Sequence, residues 1–158
     1  KLPEQALDFR PSAVDLEAVT AVHGACIAAA QAQLVVAAHD VADGGLLTTL
    51  VEMAFGTDLG VRGNLSPYDL LPPADDDELA AALVCAFGEW ASGIVVEVRP
   101  ADEAQFVALC AAHGAPVVRV GDVDSRSRLD LQVGVTHVNA SVAQLEAQWK
   151  GAIPAWME

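Results

Sequence analysis

Basic residues are scarce: eight of 158 are lysine or arginine, and none stands between Arg10 and Arg62. Against 22 acidic residues this leaves a formal net charge of −14. With no basic stripe and no polybasic patch, the sequence argues against nucleic acid and against a membrane surface as partners. Aromatics are few as well, at 5%, although apolar residues make up 53%. The core must therefore be assembled mostly from alanine, valine and leucine. Long uninterrupted hydrophobic runs are missing too. The nearest candidate, residues 21–38, is broken by His23, Gln31 and Gln33 and has no basic flanks. It reads as a buried helix running into a strand, not as a membrane span. Cysteine is limited to Cys26, Cys85 and Cys110, an odd number, widely spaced in apolar settings. That pattern suits reduced buried thiols in a cytoplasm and fits neither a disulfide frame nor a zinc site. No secretory signal is visible, and the chain opens on Lys1 without an initiator methionine, as an excised or processed piece would.

What is present centres on residues 37–55, A-A-H-D-V-A-D-G-G-L-L-T-T-L-V-E-M-A-F. Leu34 to His39 has the composition of a buried central strand. It ends in a tight polar turn, His39-Asp40-Val41-Ala42-Asp43-Gly44-Gly45. From there the period is helical. Leu46, Leu50, Met53 and Ala54 share one face, Leu47 and Val51 flank it, and Thr48, Thr49 and Glu52 point elsewhere. The helix is expected to begin at Gly44 or Gly45, with Asp43 as its N-cap. Two readings of this strand–turn–helix unit stand side by side. The glycines can permit close packing while Asp43 caps. Alternatively, their free amides can face a phosphate or carboxylate while His39, Asp40 and Asp43 hold a metal or move a proton.

The remaining chain reads in order as follows. Residues 1–11 form an extended lead-in, and 12–158 a single domain. Ser12 caps a first helix with Asp15 and Glu17 in its first turn, and Leu16, Val19, Val22, Cys26 and Ile27 give helical spacing around a partly buried His23. Gly56 and Gly60 end the central helix, a short strand covers Val61 to Leu65, and Ser66-Pro67-Tyr68-Asp69 turns the chain. Asp75-Asp76-Asp77-Glu78 leads a helix over Leu79 to Ala86. A second glycine-punctuated turn, Phe87 to Gly93, precedes a strand at Ile94 to Val98. Pro100, Asp102 and Glu103 open a helix that carries Phe106, Leu109 and Cys110 inward and closes at His113-Gly114. Pro116 to Val123 reads as a strand, and Arg128 to Val133 with Val135 to Val138 as a hairpin across Gly134. Ser141 caps a last helix with Val142, Leu145 and Trp149, and the apolar tail Ile153, Trp156 and Met157 must dock on something. The order of elements predicts an α/β sandwich with a mixed sheet.

H-D-V-A-D-G-G-L at His39 to Leu46, followed by Val51-Glu52-Met53-Ala54-Phe55, resembles the C-terminal region of the formylglycinamidine ribonucleotide synthases. These are glutamine-dependent amidotransferases of purine biosynthesis within the aminoimidazole ribonucleotide synthetase superfamily. Phe87-Gly88-Glu89 before a valine-rich strand, Gly121-Asp122-Val123, and the ending from Leu145 to Ile153 follow the family's order, so the resemblance covers nearly the whole chain. It implies the second, last C-terminal α/β domain of the synthetase subunit, in the short form whose glutaminase is a separate subunit. It also implies a cytoplasmic enzyme that uses ATP and Mg2+ to activate the amide oxygen of its formylglycinamide ribonucleotide substrate, which ammonia then displaces as phosphate. Its implied partners are the preceding synthetase domains, a glutaminase and small accessory subunits.

The catalytic, ATP and magnesium residues implied by the family lie mainly in the N-terminal domains and the first half of the enzyme, outside this chain. No catalytic or metal-binding position is therefore assigned here, and the isolated chain is expected to be inactive. His39, Asp40, Asp43, Gly44 and Gly45 carry over only as a cleft-side turn. The sequence departs from the family at Ala42, where serine is common. It departs again at Trp90-Ala91-Ser92-Gly93, where many relatives place a serine and an arginine, so a cation is missing from that turn. Two rival readings are another ATP-using superfamily member (a thiamine-phosphate kinase, a selenophosphate synthetase or a hydrogenase maturation factor) and an independent metal hydrolase built on His39, Asp40, Asp43 and Glu52.

Overall fold

The first helix shows how an alanine-rich sequence packs. In the computed structural model, which describes residues 14–70 and 77–157, α1 runs Leu16–Gln31. Its cap is Asp15, whose carboxylate accepts from the amides of Glu17 at 2.9 Å and Ala18 at 3.2 Å. Asp15 therefore stands outside the first turn as the cap, and Ser12 lies outside the described residues. The buried face is made of Ala25 and Ala29, while Leu16 and Ile27 are exposed and His23 faces outward. Of the residues at helical spacing, Val22 packs on this face and Val19 and Cys26 are half-buried, while Leu16 and Ile27 stay outside, because a close helix–helix approach favours the smallest side chains on the inner face.

Next come β1 (Val35–Asp40), α2 (Gly45–Ala54), β2 (Gly60–Leu65) and a 3₁₀ turn at Pro67–Asp69. Gly56 takes φ +71 just past α2, whereas Gly60 begins β2 rather than ending the helix. Helix α3 (Glu78–Phe87) is capped by Asp77, which accepts from Leu79 and Ala80. Asp75 and Asp76 lie outside the described residues. Then follow β3 (Ile94–Val98), α4 (Glu103–Ala112), β4 (Asp122–Asp124), β5 (Arg128–Val133), β6 (Thr136–Ser141) and α5 (Val142–Met157).

Two sheets result. One is the antiparallel pair β1–β3, and the other is four-stranded in the order β4-β2-β5-β6. In the second, β2 runs parallel to β5 and antiparallel to β4, which makes it a mixed sheet. Two expectations are corrected here. Among the described residues the strand at 35–40 is half of a two-stranded ribbon and not central to a larger sheet, since β3 is its one ladder partner there. The strand foreseen over Pro116 to Val123 shrinks to three residues. A Cβ on Gly63 would stand 2.9 Å from Gly121 Cα, so the chain crosses tightly over β2 there before it can pair. The hairpin forms as read, with Gly134 at φ +52, and β6 extends on to Ser141. Ser141 ends that strand, and the first amide of α5, on Val142, donates to the Ser127 carbonyl.

The ribbon is a shared wall between two cores. Val35, Val96 and Val98 pack against Ala25, Ala29, Leu34, Phe106, Cys110 and Ala115 between α1 and α4. Val95 instead joins the larger core, where Leu46, Leu50, Cys85, Leu65, Leu131 and Val133 bring α2 and α3 onto the four-stranded sheet. Each fully buried leucine or valine contributes about 1.5–3 kcal/mol. Cys26, Cys85 and Cys110 are free thiols. Burial, helped by nearby Asp69, pushes the Cys85 thiol up to about 11. The outer face of the sheet is polar. His137 Nε2 lies 2.8 Å from Asp130 Oδ1, Asn139 Nδ2 donates to the same oxygen, and Arg126 pairs with Asp124. The His137 hydrogen bond holds the Asp130 carboxyl below its ordinary range, with the charges of His137 and Arg126 adding to it.

Candidate functional site: two glycine turns at the end of the ribbon

Both glycine-punctuated turns lie where the β1–β3 ribbon ends, and they are stitched together. The Val41 amide donates to the Gly93 carbonyl at 2.7 Å, continuing the ladder by one bond past Asp40 and Ile94. A Cβ on Gly93 would come within 3.0 Å of Val41 Cβ, so the second turn sits directly on the first.

Gly44 and Gly45 both take the left-handed conformation, at φ +83 and +72, which glycine alone adopts without strain. Gly45 is buried. A side-chain carbon there would stand 2.6 Å from Phe87 Cα and 2.8 Å from the Gly88 carbonyl oxygen. At Gly44 it would stand 2.5 Å from Thr48 Oγ1. The close-packing role of these glycines is thus observed, with backbone lying against backbone.

Asp43 does not cap α2. Gly44 occupies the cap position, the two left-handed residues turn the chain after Asp43, and no side chain caps the helix start. Two threonines tie the first turn from inside the helix. Thr48 Oγ1 donates to the Gly44 carbonyl at 2.9 Å. Thr49, 2% exposed, places its hydroxyl 3.1 Å from the Gly45 carbonyl and 3.2 Å from that of Asp40. Thr49 was expected to point away from the core. It is instead the clasp between the end of β1 and the start of α2. Spacing alone cannot show this, because a threonine beside the apolar face of a helix is ambiguous until the strand end that it bonds is placed.

His39 lies at the end of β1 with Nδ1 2.7 Å from the Asp40 carbonyl oxygen, which makes Nδ1 the donor. Its Nε2 faces Glu52 Oε2 at 3.6 Å, too long for a hydrogen bond and close enough for a charge contact when the ring is protonated. Asp40 is mostly exposed, its Oδ1 3.4 Å from the same ring. The structure thus brings His39, Asp40 and Glu52 together and leaves Asp43 apart and exposed. Among the described residues no group of three or more His, Cys, Asp or Glu converges to hold a metal ion. Trp90, in the second turn, packs on the larger core, and its Nε1 is buried without a hydrogen-bond partner among the described residues.

The ribbon shared by two cores, with paired glycine turns at its end, defines an α/β domain built by close backbone packing at that end. The chain belongs to the family described as AIR synthase related protein, C-terminal domain, which matches residues 2–134. It is 36% identical to the phosphoribosylformylglycinamidine synthase subunit PurL of Thermobifida fusca over 94% of this chain and 18% of that protein. It is 34% identical to the same subunit of Rhodococcus jostii over 92% of this chain and 17% of that protein. The chain therefore spans under a fifth of the length of these relatives. In fold it is similar to Thermotoga maritima PurL complexed with FGAR, with TM-score 0.69 and 17% identity over 89% of this chain and 24% of that one. It is likewise similar to the PurLQS structure from the same organism, with TM-score 0.68 and 19% identity over 83% and 22%.

Proposed function

We propose that this chain is the C-terminal α/β domain, residues 12–158 behind an 11-residue lead-in, of a formylglycinamidine ribonucleotide synthase. The observation that carries this reading is the 36% identity to a PurL subunit over 94% of the chain. The whole enzyme would convert a formylglycinamide ribonucleotide to the formylglycinamidine, at the glycinamide carbonyl, with ATP, Mg2+ and glutamine-derived ammonia, in the cytoplasm. Its partners would be the preceding synthetase domains, a glutaminase and a small accessory subunit. No described helix is long and apolar enough to cross a membrane.

In this reading His39, Asp40, Asp43, Gly44 and Gly45 form a turn at the cleft side of the domain, supporting the catalytic and auxiliary nucleotide clefts. No side chain caps the start of α2, so its first amides beyond Gly45, whose own amide donates to the Ala42 carbonyl, would suit an anion. His39 stands there between two carboxylates, 3.4 Å from Asp40 Oδ1 and 3.6 Å from Glu52 Oε2. ATP and Mg2+ would be held mainly by domains outside this chain, and the main catalytic groups would lie there too.

The test is turnover by the full-length subunit that carries this domain. ATP hydrolysis that requires the formylglycinamide ribonucleotide together with ammonia or glutamine is the expected result. Phosphoryl transfer to thiamine phosphate or to selenide, with no response to the ribonucleotide, would overturn the assignment.

A further inference from the structure

Helix α5 carries one apolar seam, Val142, Leu145, Trp149, Ile153 and Met157, at spacings of three and four that keep all five on one side. Its first half is used within the domain. Val142 is buried, Leu145 packs on the larger core, and Trp149 meets Phe55 edge-on with ring centroids 5.6 Å apart. Beyond that point the seam leaves the domain. Ile153 is 73% and Met157 81% exposed, and Trp149 keeps 54% of its surface in solvent.

The end of α5 should not hold its shape in water. Gly151 and Pro154 both lie within the helix. Proline lacks the amide that would bond back to Lys150, and together the two residues cost about 4 kcal/mol relative to alanine. An exposed terminal turn with that burden frays. The seam nevertheless continues through it in helical register. Residues 149–157 contain no acidic side chain in a chain of net charge −14, and their one cation, Lys150, is tied to Glu146 at 2.5 Å. These are properties of a helix end that is covered by protein and kept dry.

We infer that the second half of α5 is a docking ridge, covered by an apolar groove on another domain of the same polypeptide. The inference rests on the reading that this chain is one domain of a longer synthetase subunit. Area selects the occupant. Three side chains offer on the order of a few hundred Å², below the roughly 800 Å² per partner of a stable independent interface. A second copy or a separate subunit would bind such a ridge poorly. A tethered domain, at millimolar effective concentration, needs no larger surface. The relatives supply such domains, since this chain matches 18% of the Thermobifida fusca subunit's length.

The test is amide hydrogen exchange in the full-length subunit. In the parent protein, amides of residues 151–157 are expected to exchange about tenfold or more slowly than an unstructured peptide. In Ile153→Asp/Met157→Asp they should return to within about twofold of it, while α2 stays protected. Val123→Asp, at an exposed valine on β4, should leave the ridge protected. If the double variant also loses α2 protection, Ile153→Gln alone must still raise exchange in 151–157. Free exchange of 151–157 in the parent would overturn the inference. So would protection that appears only with rising protein concentration, or only on adding a separate glutaminase. Turnover is scored on the same preparations: turnover without protection removes the ridge and keeps the function, and protection without turnover does the reverse.

Discussion

A side-chain carbon on Gly45 would stand 2.6 Å from the Cα of Phe87, forty-two residues further along the chain. One atom at the start of α2 therefore sets how closely the two glycine turns can approach. Gly45→Ala should destabilise the domain by about 1–3 kcal/mol from overpacking, plus about 1–2 kcal/mol for the left-handed backbone. Gly45→Val should be worse, since a β-branched side chain adds bulk and stiffens χ1. Gly56, at φ +71 with nothing within 4 Å, is the matched control, and Gly56→Ala should cost only the backbone term. Thermal melts of the three variants check this, and equal losses at both sites would remove the packing role of Gly45.

Thr49 clasps two backbone carbonyls from a buried position. Thr49→Val keeps the shape and leaves both acceptors without that donor, for an expected loss of about 1–3 kcal/mol. Thr49→Ser keeps the hydroxyl and should lose less. Denaturant unfolding of the pair separates the hydrogen bonds from the methyl packing.

Three of the aspartates near helix starts, Asp15, Asp43 and Asp77, should divide by geometry. Asp15→Ala and Asp77→Ala each remove a carboxylate that accepts two helix amides, at an expected cost of about 0.5–2 kcal/mol. Asp43→Ala removes an exposed carboxylate that caps nothing and should change stability by less than about 0.5 kcal/mol. If it impairs turnover of the full-length enzyme while the melt is unchanged, Asp43 acts at the cleft and not in the fold.

Asp130, hydrogen-bonded to His137, has its carboxyl held below the ordinary range. A carboxyl depressed in the folded state adds stability above its unfolded value, and that stability is lost as pH falls through the folded one. The acid side of the melting-temperature profile should therefore be steeper in the parent than in Asp130→Asn, with the difference confined to pH below the ordinary aspartate range. His137→Ala should reproduce most of the change, because the His137 hydrogen bond is its largest cause.

The Cys85 thiol, pushed up to about 11 by burial, is almost wholly protonated at pH 8. Mass spectrometry after alkylation at that pH should find Cys26, which is only partly buried, labelled well before Cys85. Labelling of Cys85 without denaturant would show that α3 opens readily.

Much of this architecture was legible because periodicity reports burial. Leu46 and Leu50 lie in the larger core and Ala54 is buried, as their spacing required, and the helix of the strand–turn–helix unit starts at Gly45 as read. The hairpin about Gly134 followed from its turn residue. Where the reading failed, a partner distant in sequence decided. Leu16 and Ile27 face outward because α4 accepts the alanine face of α1. Asp43 lost the cap because two left-handed residues intervene. At the site, sequence marked the residues of both turns without showing that they touch, since neither turn contains any sign of the other. The Val41–Gly93 bond exists only once β1 and β3 have paired, and the Thr49 clasp only once α2 has folded back onto the end of β1.

The mixed sheet also fixes an order of events during synthesis. Strand β2 leaves the ribosome early, yet its two ladder neighbours, β4 and β5, emerge only after α3, β3 and α4. Until then both edges of β2 are unpaired, and its parallel pairing with β5 must close a long loop before any ladder bond rewards it. The β1–β3 ribbon and the core beneath α1 and α4 need no residue beyond Ala115 and can form first. The domain should therefore assemble in two stages, the smaller core ahead of the larger, with β2 the stretch most exposed to misassociation in between.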